Sequence, residues 1–508
     1  MHPPALTRSG RVEGLFDREE VRVFRGIPYA RAPLGELRFR APEPCAGWSE
    51  TRPAREFGPA APQEPLITDV GSRHEDCLTV NVWTPGVDRA RRPVMVWLHG
   101  GAFHLGGSAQ AMYDAAILAR AGDVVVVSLN YRLGALGFAY LPELLPVRDA
   151  ERVAANLGLR DQVAALGWVR DNIEQFGGDP ENITLFGESA GAMSIGCLLA
   201  APSARGLFRR AILQSGGGHH VLEREQATQV GARLLRELGL SASQTGALWS
   251  VSAEQIVAAQ RGCAQEIVRR GRLGKELPHS NVTLLPVVDG EFLPEHPIGA
   301  IERGAAAGVE LIVGSNLDEW NFFLFFTEPK RLNLDRDALR RMFAQRLPDC
   351  GPRALALYAQ HFGANAPAWK SYAGLETDRT FRQPAIRLAE TQSVRHARTF
   401  MYQFEFGSQL FESALGACHA LEIPFVFGTL SDPFGAAFVA ESPAAQRLSA
   451  AMLRAWVGFA RDGEPNHAGL PEWPAYDVRQ RATLRLADQP ELVYDPLSEL
   501  RQFWDALI

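Results

Sequence analysis

Residues 183–191 read Ile-Thr-Leu-Phe-Gly-Glu-Ser-Ala-Gly, which sets Ser189 between Gly187 and Gly191. A serine hydroxyl becomes a strong nucleophile when a base takes its proton and nearby amides receive the charge its attack creates. The pattern G-x-S-x-G suits that chemistry, because a serine on a sharp strand-to-helix turn is strained and its neighbours two residues away must be almost without side chains. In a chain with 47 glycines the pattern alone is also that of an ordinary turn. Its flanks argue for more, since four residues of strand character precede it and a helix-compatible run, 192–199, follows.

The base, the acid and the amides must come from elsewhere in the chain. In open α/β sheets, ligands meet the carboxyl ends of the strands, so the residues following each strand are the place to look. Short apolar, β-branched runs at 79–83, 94–98, 123–129, 183–186, 211–214 and 311–313 predict strands buried on both faces of a largely parallel sheet. After 94–98 come His99-Gly-Gly-Ala-Phe and then Gly106-Gly107, small residues that let backbone amides crowd a substrate or simply make a tight turn. After 311–313 come Asp318 and Glu319, two acids that the residues alone do not rank against each other or against solvated surface groups. After a strand-like run at 399–406, a loop leads to His419.

Triads on such sheets follow the chain order serine, acid, histidine. Beyond Glu319 lie His361, His396, His419 and His467. The first two sit in or beside helical patterns and the last in a polar turn, so His419 is the candidate base. Cys418 beside it reads as an idle buried thiol rather than a reactive one.

The remaining pattern supplies supports. A helix is predicted over 159–176, ended by Gly177-Gly178, and another over 444–461. Amphipathic helical stretches at 222–272 and 332–371 read as insertions over the sheet, within about 222–300 and 325–395 of a single α/β domain spanning 1–508. Such insertions form the walls and lid of a pocket or merely pack. Hydrophobic residues make up 46% of the 508 and charged ones 22%, as in a soluble protein with a large core. The net charge of −6 is too mild to favour nucleic acid or an anionic membrane, so a small-molecule ligand is expected. The amino terminus lacks a secretory apolar segment, and a cytoplasmic location is expected, with a monomer or weak homo-oligomer. Six cysteines without C-x-x-C spacing offer no zinc or redox motif, and neither metal nor cofactor is expected. The sequons at Asn182 and Asn281 carry no weight in a chain without a secretion signal.

Together these residues resemble the type B carboxylesterases, which include bacterial para-nitrobenzyl esterases, liver esterases and cholinesterases. Phe24-Arg-Gly-Ile-Pro-Tyr-Ala, Glu75-Asp-Cys-Leu, Trp97-Leu-His-Gly-Gly-Ala-Phe, Asn130-Tyr-Arg-Leu-Gly, Phe186-Gly-Glu-Ser-Ala-Gly, Asp318-Glu and Pro424-Phe-Val-Phe-Gly look like family blocks, in family order. The resemblance implies the α/β-hydrolase fold and hydrolysis of carboxylic esters with an apolar acyl or alcohol group. It implies Ser189 as nucleophile, His419 as general base and then acid, and Glu319, not Asp318, as the acid. It places the oxyanion hole at the amides of Gly101, Ala102 and Ala190, sets Glu188 beside the serine and Ser215 in a supporting polar network, and makes Arg38–Glu75 and Arg132–Asp161 structural ion pairs. With an ordinary histidine as base, activity would fade below about pH 6.

The same constellation serves amidases, lipases and hydrolases of secondary-metabolite esters, and neuroligin-like relatives are non-catalytic. Two departures stand out. Trp320 occupies a position where many members have glycine, either lining the pocket or packing under the acid loop. The segment 57–75 lacks tryptophan, which argues against a choline ester as preferred substrate.

Overall fold

The computed structural model describes residues 3–17, 20–65, 68–241, 244–270, 284–363, 365–396 and 398–507. Eleven strands form one sheet. From edge to edge they run Glu491–Tyr494, Ala482–Leu486, Thr399–Phe404, Glu310–Asn316, Arg210–Gln214, Gly178–Glu188, Arg92–Leu98, Val125–Leu129, Thr79–Thr84, Arg22–Pro28 and Leu15–Phe16. Every neighbouring pair from Ala482–Leu486 to Val125–Leu129 is parallel, and the pairs outside them are antiparallel. The sheet is therefore parallel where the predicted site lies.

Apolar character on both faces follows from this position. Along Arg92–Leu98, Val94, Val96 and Leu98 enter one core while Met95 and Trp97 enter the other. Helices Leu157–Asn172 and Ala190–Leu198 cover the first face. Helix Pro443–Asp462 covers the second with Leu448, Met452, Trp456 and Phe459, capped by the Ser442 side chain, which accepts from the Ala445 N–H. The helix expected over 159–176 is α-helical as Leu157–Asn172 and tightens to a 3₁₀ turn at Ile173–Phe176 before Gly177.

The expected insertions are helical. Arg224–Glu237 and Ala253–Arg270 lie between the strands Arg210–Gln214 and Glu310–Asn316, and Arg336–Arg346, Gly351–Phe362, Ala368–Thr377 and Gln383–Ser393 lie between Glu310–Asn316 and Thr399–Phe404. Residues 271–283, with the end of the helical stretch expected to 272 and the sequon at Asn281, lie outside the described residues. Between the last two helices Asp378–Arg382 is π-helical, with its charged side chains buried but paired: both oxygens of Asp378 accept from Arg382 at 2.6 and 2.8 Å. The two ion pairs assigned to structure are present, Arg38 to Glu75 at 2.6 Å and Arg132 to Asp161 at 2.7 Å. Arg132 also donates to the carbonyls of Arg38 and Arg40, so this pair ties the early winding segment to the helix Leu157–Asn172. Among the described residues no helix is long and apolar enough to cross a membrane.

Candidate active site

Ser189 stands between the strand Gly178–Glu188 and the helix Ala190–Leu198 at φ 55° and ψ −123°, a strained conformation for a residue with a side chain. The turn is tight enough that a Cβ on Gly191 would sit 1.9 Å from the Leu98 carbonyl oxygen. The Ser189 amide donates to Gln214 O at 2.9 Å, tying the elbow to the next strand. Ala190 opens the helix, and a first-turn N–H has no acceptor within its own helix.

The segment after the strand Arg92–Leu98 folds back upon this elbow. A Cβ on Gly100 would lie 3.1 Å from Ser189 Cβ and 2.7 Å from Glu188 Oε2, so only glycine permits the approach. Gly101, Ala102 and Phe103 follow with φ of 113°, 54° and 63°, and the Gly101 carbonyl accepts from the amides of His104 and Leu105. Gln63 clamps the far end, its amide group bonding both the carbonyl and the N–H of Gly106. The amides of Gly101 and Ala102 thus belong to a fixed turn beside the serine.

The two adjacent acids divide the work. Glu319 opens the helix Glu319–Phe326; its Oε1 accepts from the Asn316 amide at 2.8 Å and its Oε2 from His419 Nδ1–H at 2.6 Å. Asp318 instead grips the histidine loop, accepting from the Ala417 N–H at 3.0 Å while its own amide donates to Ala417 O. Glu319 is wholly buried, so the histidine ring is oriented by a carboxylate with no access to water. The other ring nitrogen, Nε2, stands 3.0 Å from Glu188 Oε1, close but misaligned for a hydrogen bond. Among the described residues the Ser189 hydroxyl has no hydrogen-bond partner.

Burial works against the charged imidazole of His419, yet Glu188 and Glu319 on its two sides outweigh it and raise its pKa to about 9. Burial raises Glu188 to about 8, offset in part by His419. Both groups thus titrate above their ordinary ranges, the imidazole because carboxylates face it and Glu188 because it is buried. Behind them, buried Glu422 accepts from Gln214 Nε2 at 3.0 Å and Asn316 Nδ2 at 2.6 Å, and Trp456 Nε1 donates to Gln214 Oε1. Asn316 also donates to Cys418 O, fixing the histidine loop to the acid strand. The family likeness puts the supporting network at Ser215, whose buried hydroxyl is unpartnered among the described residues; its neighbour Gln214 carries the network instead. Glu422 escapes a reading of the sequence because a carboxylate three residues beyond a histidine looks like a surface group. Three aromatic rings surround the imidazole, Phe381 at 4.6 Å, Phe323 at 5.1 Å and Phe322 at 6.4 Å.

Trp320 lies behind this wall. Buried, it packs on Phe323 at 4.8 Å and Phe381 at 6.4 Å, and its amide donates to Thr377 Oγ1. Of the two readings of this residue, the structure favours packing under the acid loop. Burial pushes the Cys418 thiol well up, in keeping with an idle group, and all six cysteines are free. His361 lies on the helix Gly351–Phe362, and His467 bonds the backbone of Ala451 and Gly469; neither joins the site, nor does His396, whose ring accepts from the Arg398 amide. Among the described residues no group of three or more His, Cys, Asp and Glu side chains could hold a metal ion. A groove of about 680 Å³ lined by Phe208, Arg303 and Val309 lies at the amino ends of the strands, away from this chemistry.

This arrangement accords with the wider likenesses of the chain. The profile of the Carboxylesterase family matches residues 2–504. The chain belongs to the carboxylesterase family. It is 38% identical over 513 residues to the para-nitrobenzyl esterase of Bacillus subtilis, covering 99% of this chain and 98% of that protein. It is 37% identical over 500 residues to the phenmedipham hydrolase of Pseudarthrobacter oxydans, covering 96% and 95%. A crystal structure of a Geobacillus stearothermophilus carboxylesterase superposes with a TM-score of 0.88 at 38% identity, over 99% of each chain. The fold is that of the α/β-hydrolases, and the activity is that of a serine carboxylesterase, a carboxylic ester hydrolase. Nothing in these likenesses supports the amidase, lipase or non-catalytic readings.

Proposed function

We propose that Ser189, His419 and Glu319 carry out the ester hydrolysis through an acyl-enzyme on Ser189, with Gly101, Ala102 and Ala190 as oxyanion donors. The observation that supports this reading is the buried 2.6 Å contact of Glu319 with His419 Nδ1, which leaves Nε2, beside Glu188 of the elbow, as the free ring nitrogen. Ser189 attacks the ester carbonyl as His419 takes its proton; the three amides hold the oxyanion; His419 then gives the proton to the departing alcohol. Water repeats the sequence on the acyl-enzyme. Glu188 faces Nε2 in the resting state without a formed hydrogen bond, and a bound ester draws the ring toward the hydroxyl. Losing one oxyanion donor costs about 3 kcal/mol of barrier.

The substrates are esters with an apolar side, as the phenylalanine rings around His419 favour. Six free thiols suit a reducing compartment, and we propose a cytoplasmic protein that is a monomer or weak homo-oligomer. A short-chain nitrophenyl ester tests the chemistry: a burst of nitrophenol is expected, with an organophosphate label on Ser189. Ser189→Ala is expected to lower kcat by on the order of 10⁴ to 10⁶. Full turnover by that variant would sink the proposal.

A further inference from the structure

The groove at the amino ends of the strands owes its shape to two turns almost without side chains. Phe208 and Val309 stand just before the adjacent parallel strands Arg210–Gln214 and Glu310–Asn316, and line it together with Leu198 and Leu199 at the end of the helix Ala190–Leu198. One turn passes Gly206 at φ 78°, and the other runs from Gly304, at φ 97°, to Gly308. A Cβ on Gly206 or Gly308 would meet nothing within 4 Å, so the absence of side chains leaves the space open. Backbone hydrogen bonds fix both turns: the Leu207 amide donates to Ala204 O at 3.1 Å, that of Ala307 to Gly304 O at 3.1 Å and that of Val309 to Ala306 O at 2.9 Å. The groove is therefore preformed, and its volume of about 680 Å³ falls within the range of about 300–1,000 Å³ usual for small-molecule sites.

Its lining divides into an apolar floor and a charged rim. Leu198, Leu199 and Phe208 are buried and Val309 is half-buried, which puts carbon surface at the bottom. The charged residues of the lining are Arg205, Arg303 and Glu295. Arg303 pairs with Glu295, while Arg205 stands exposed on the opposite turn. Two guanidiniums against one carboxylate leave a single positive charge above the floor. A guanidinium fork matches a carboxylate in shape as well as in charge.

We propose that this groove binds a single-chain carboxylate, with its alkyl chain on the floor of Leu198, Leu199 and Phe208 and its head group at Arg205 and Arg303. The ligand belongs to the same chemical class as the acid released when an ester with an apolar acyl group is hydrolysed. The site is separate from the catalytic chemistry. Phe208 and Val309 precede strands whose far ends lead to Ser215 and to Glu319, and even the five-residue strand Arg210–Gln214 spans about 17 Å. The inference stands apart from the roles proposed for Ser189, His419 and Glu319.

The test titrates decanoate calorimetrically into the full-length enzyme after reaction with an organophosphate, which closes the catalytic centre. One equivalent is expected to bind. Arg205→Glu, on an exposed turn, is expected to weaken decanoate about tenfold or more, the worth of a charge-assisted hydrogen bond, with the melting temperature unchanged. Gly308→Phe fills the groove and is expected to abolish binding; Arg205→Glu tests the same point without touching a turn glycine. Decylammonium, with the same chain and the opposite charge, is expected to bind at least about tenfold more weakly than decanoate. Absence of decanoate binding at about 1 mM would overturn the proposal. So would equal binding of decylammonium, or decanoate binding that neither variant changes. Adsorption to phosphatidylglycerol vesicles by a protein that ignores free decanoate would assign the groove to a membrane surface and overturn it as well. Failure of the organophosphate to label Ser189 would overturn the nucleophile assignment instead, and the two variants would still distinguish the groove from the active site.

Discussion

His419 lies between two glutamates that face opposite ring nitrogens, and their settings differ. Glu319 has both oxygens engaged, one by the Asn316 amide and one by Nδ1–H, in full burial. Glu188 is also buried, but its Oε1 faces Nε2 without a formed hydrogen bond, and burial raises its pKa to about 8. A carboxylate with both oxygens engaged fixes a geometry. One left partly unpaired in the same low dielectric is pushed toward its neutral form by burial while its charge bears on the imidazole. Residue type alone does not distinguish orienting from modulating; the donors around each oxygen do.

Removing the orienting member should produce the largest effect. Glu319→Gln leaves size and burial intact but removes the charge that stabilises the imidazolium, and kcat is expected to fall by on the order of 10³- to 10⁴-fold in single-turnover measurements. A loss below about tenfold would equate the two glutamates. The Glu188 side is expected to act mainly on pH dependence. Catalysis needs neutral His419, and a raised pKa keeps the ring protonated to higher pH, so the acid limb of kcat/KM should lie above 6.5 rather than near 6. In Glu188→Gln a negative charge leaves the neighbourhood of Nε2, the imidazolium is less favoured, and the limb should move to lower pH. A pH profile on a neutral ester that is identical in the two proteins would exclude Glu188 from setting the titration of His419.

Asp318 supplies a control one residue away. Asp318→Asn turns an acceptor at the Ala417 amide into a mixed group and should lower stability by about 1–2 kcal/mol in urea unfolding, with kcat reduced less than about tenfold. A loss matching that of Glu319→Gln would make Asp318 a second orienting acid. The smallest effect is expected for Cys418→Ala, whose thiol is buried and held in its protonated form; modification by a thiol reagent should leave esterase activity unchanged.

Much of the fold is legible in the residues because strands buried on both faces leave continuous apolar runs. The runs at 79–83, 94–98 and 211–214 differ from the observed strands by one or two residues. The elbow strand extends further, as Gly178–Glu188, because its polar first half, Asp179 to Asn182, looks like a turn. Ala482–Leu486 and Glu491–Tyr494 lie beyond what the pattern predicts: the latter is an edge strand without a buried residue, and neither has a long apolar run. Helix Gln383–Ser393 and the π-helical turn before it escape the pattern for a related reason. Asp378 and Arg382 are buried because they pair with each other, and charge written in a sequence reads as surface. Within the site, chain order and strand ends point to Ser189 and His419 as the proposed pair. Choosing Glu319 over Asp318 needs the family likeness, and the Glu422 network needs three dimensions.

The helix Glu319–Phe326 carries, within eight residues, both the carboxylate that meets His419 and two of the rings around the imidazole, Phe322 and Phe323. Any change there that reshapes the pocket also perturbs the acid. Phe381, the third ring at the imidazole, belongs to another segment and shares no backbone with it. Laboratory evolution of this enzyme toward new esters should therefore accumulate few tolerated changes within 319–326. Adaptability here depends on which segment of chain supplies each ring.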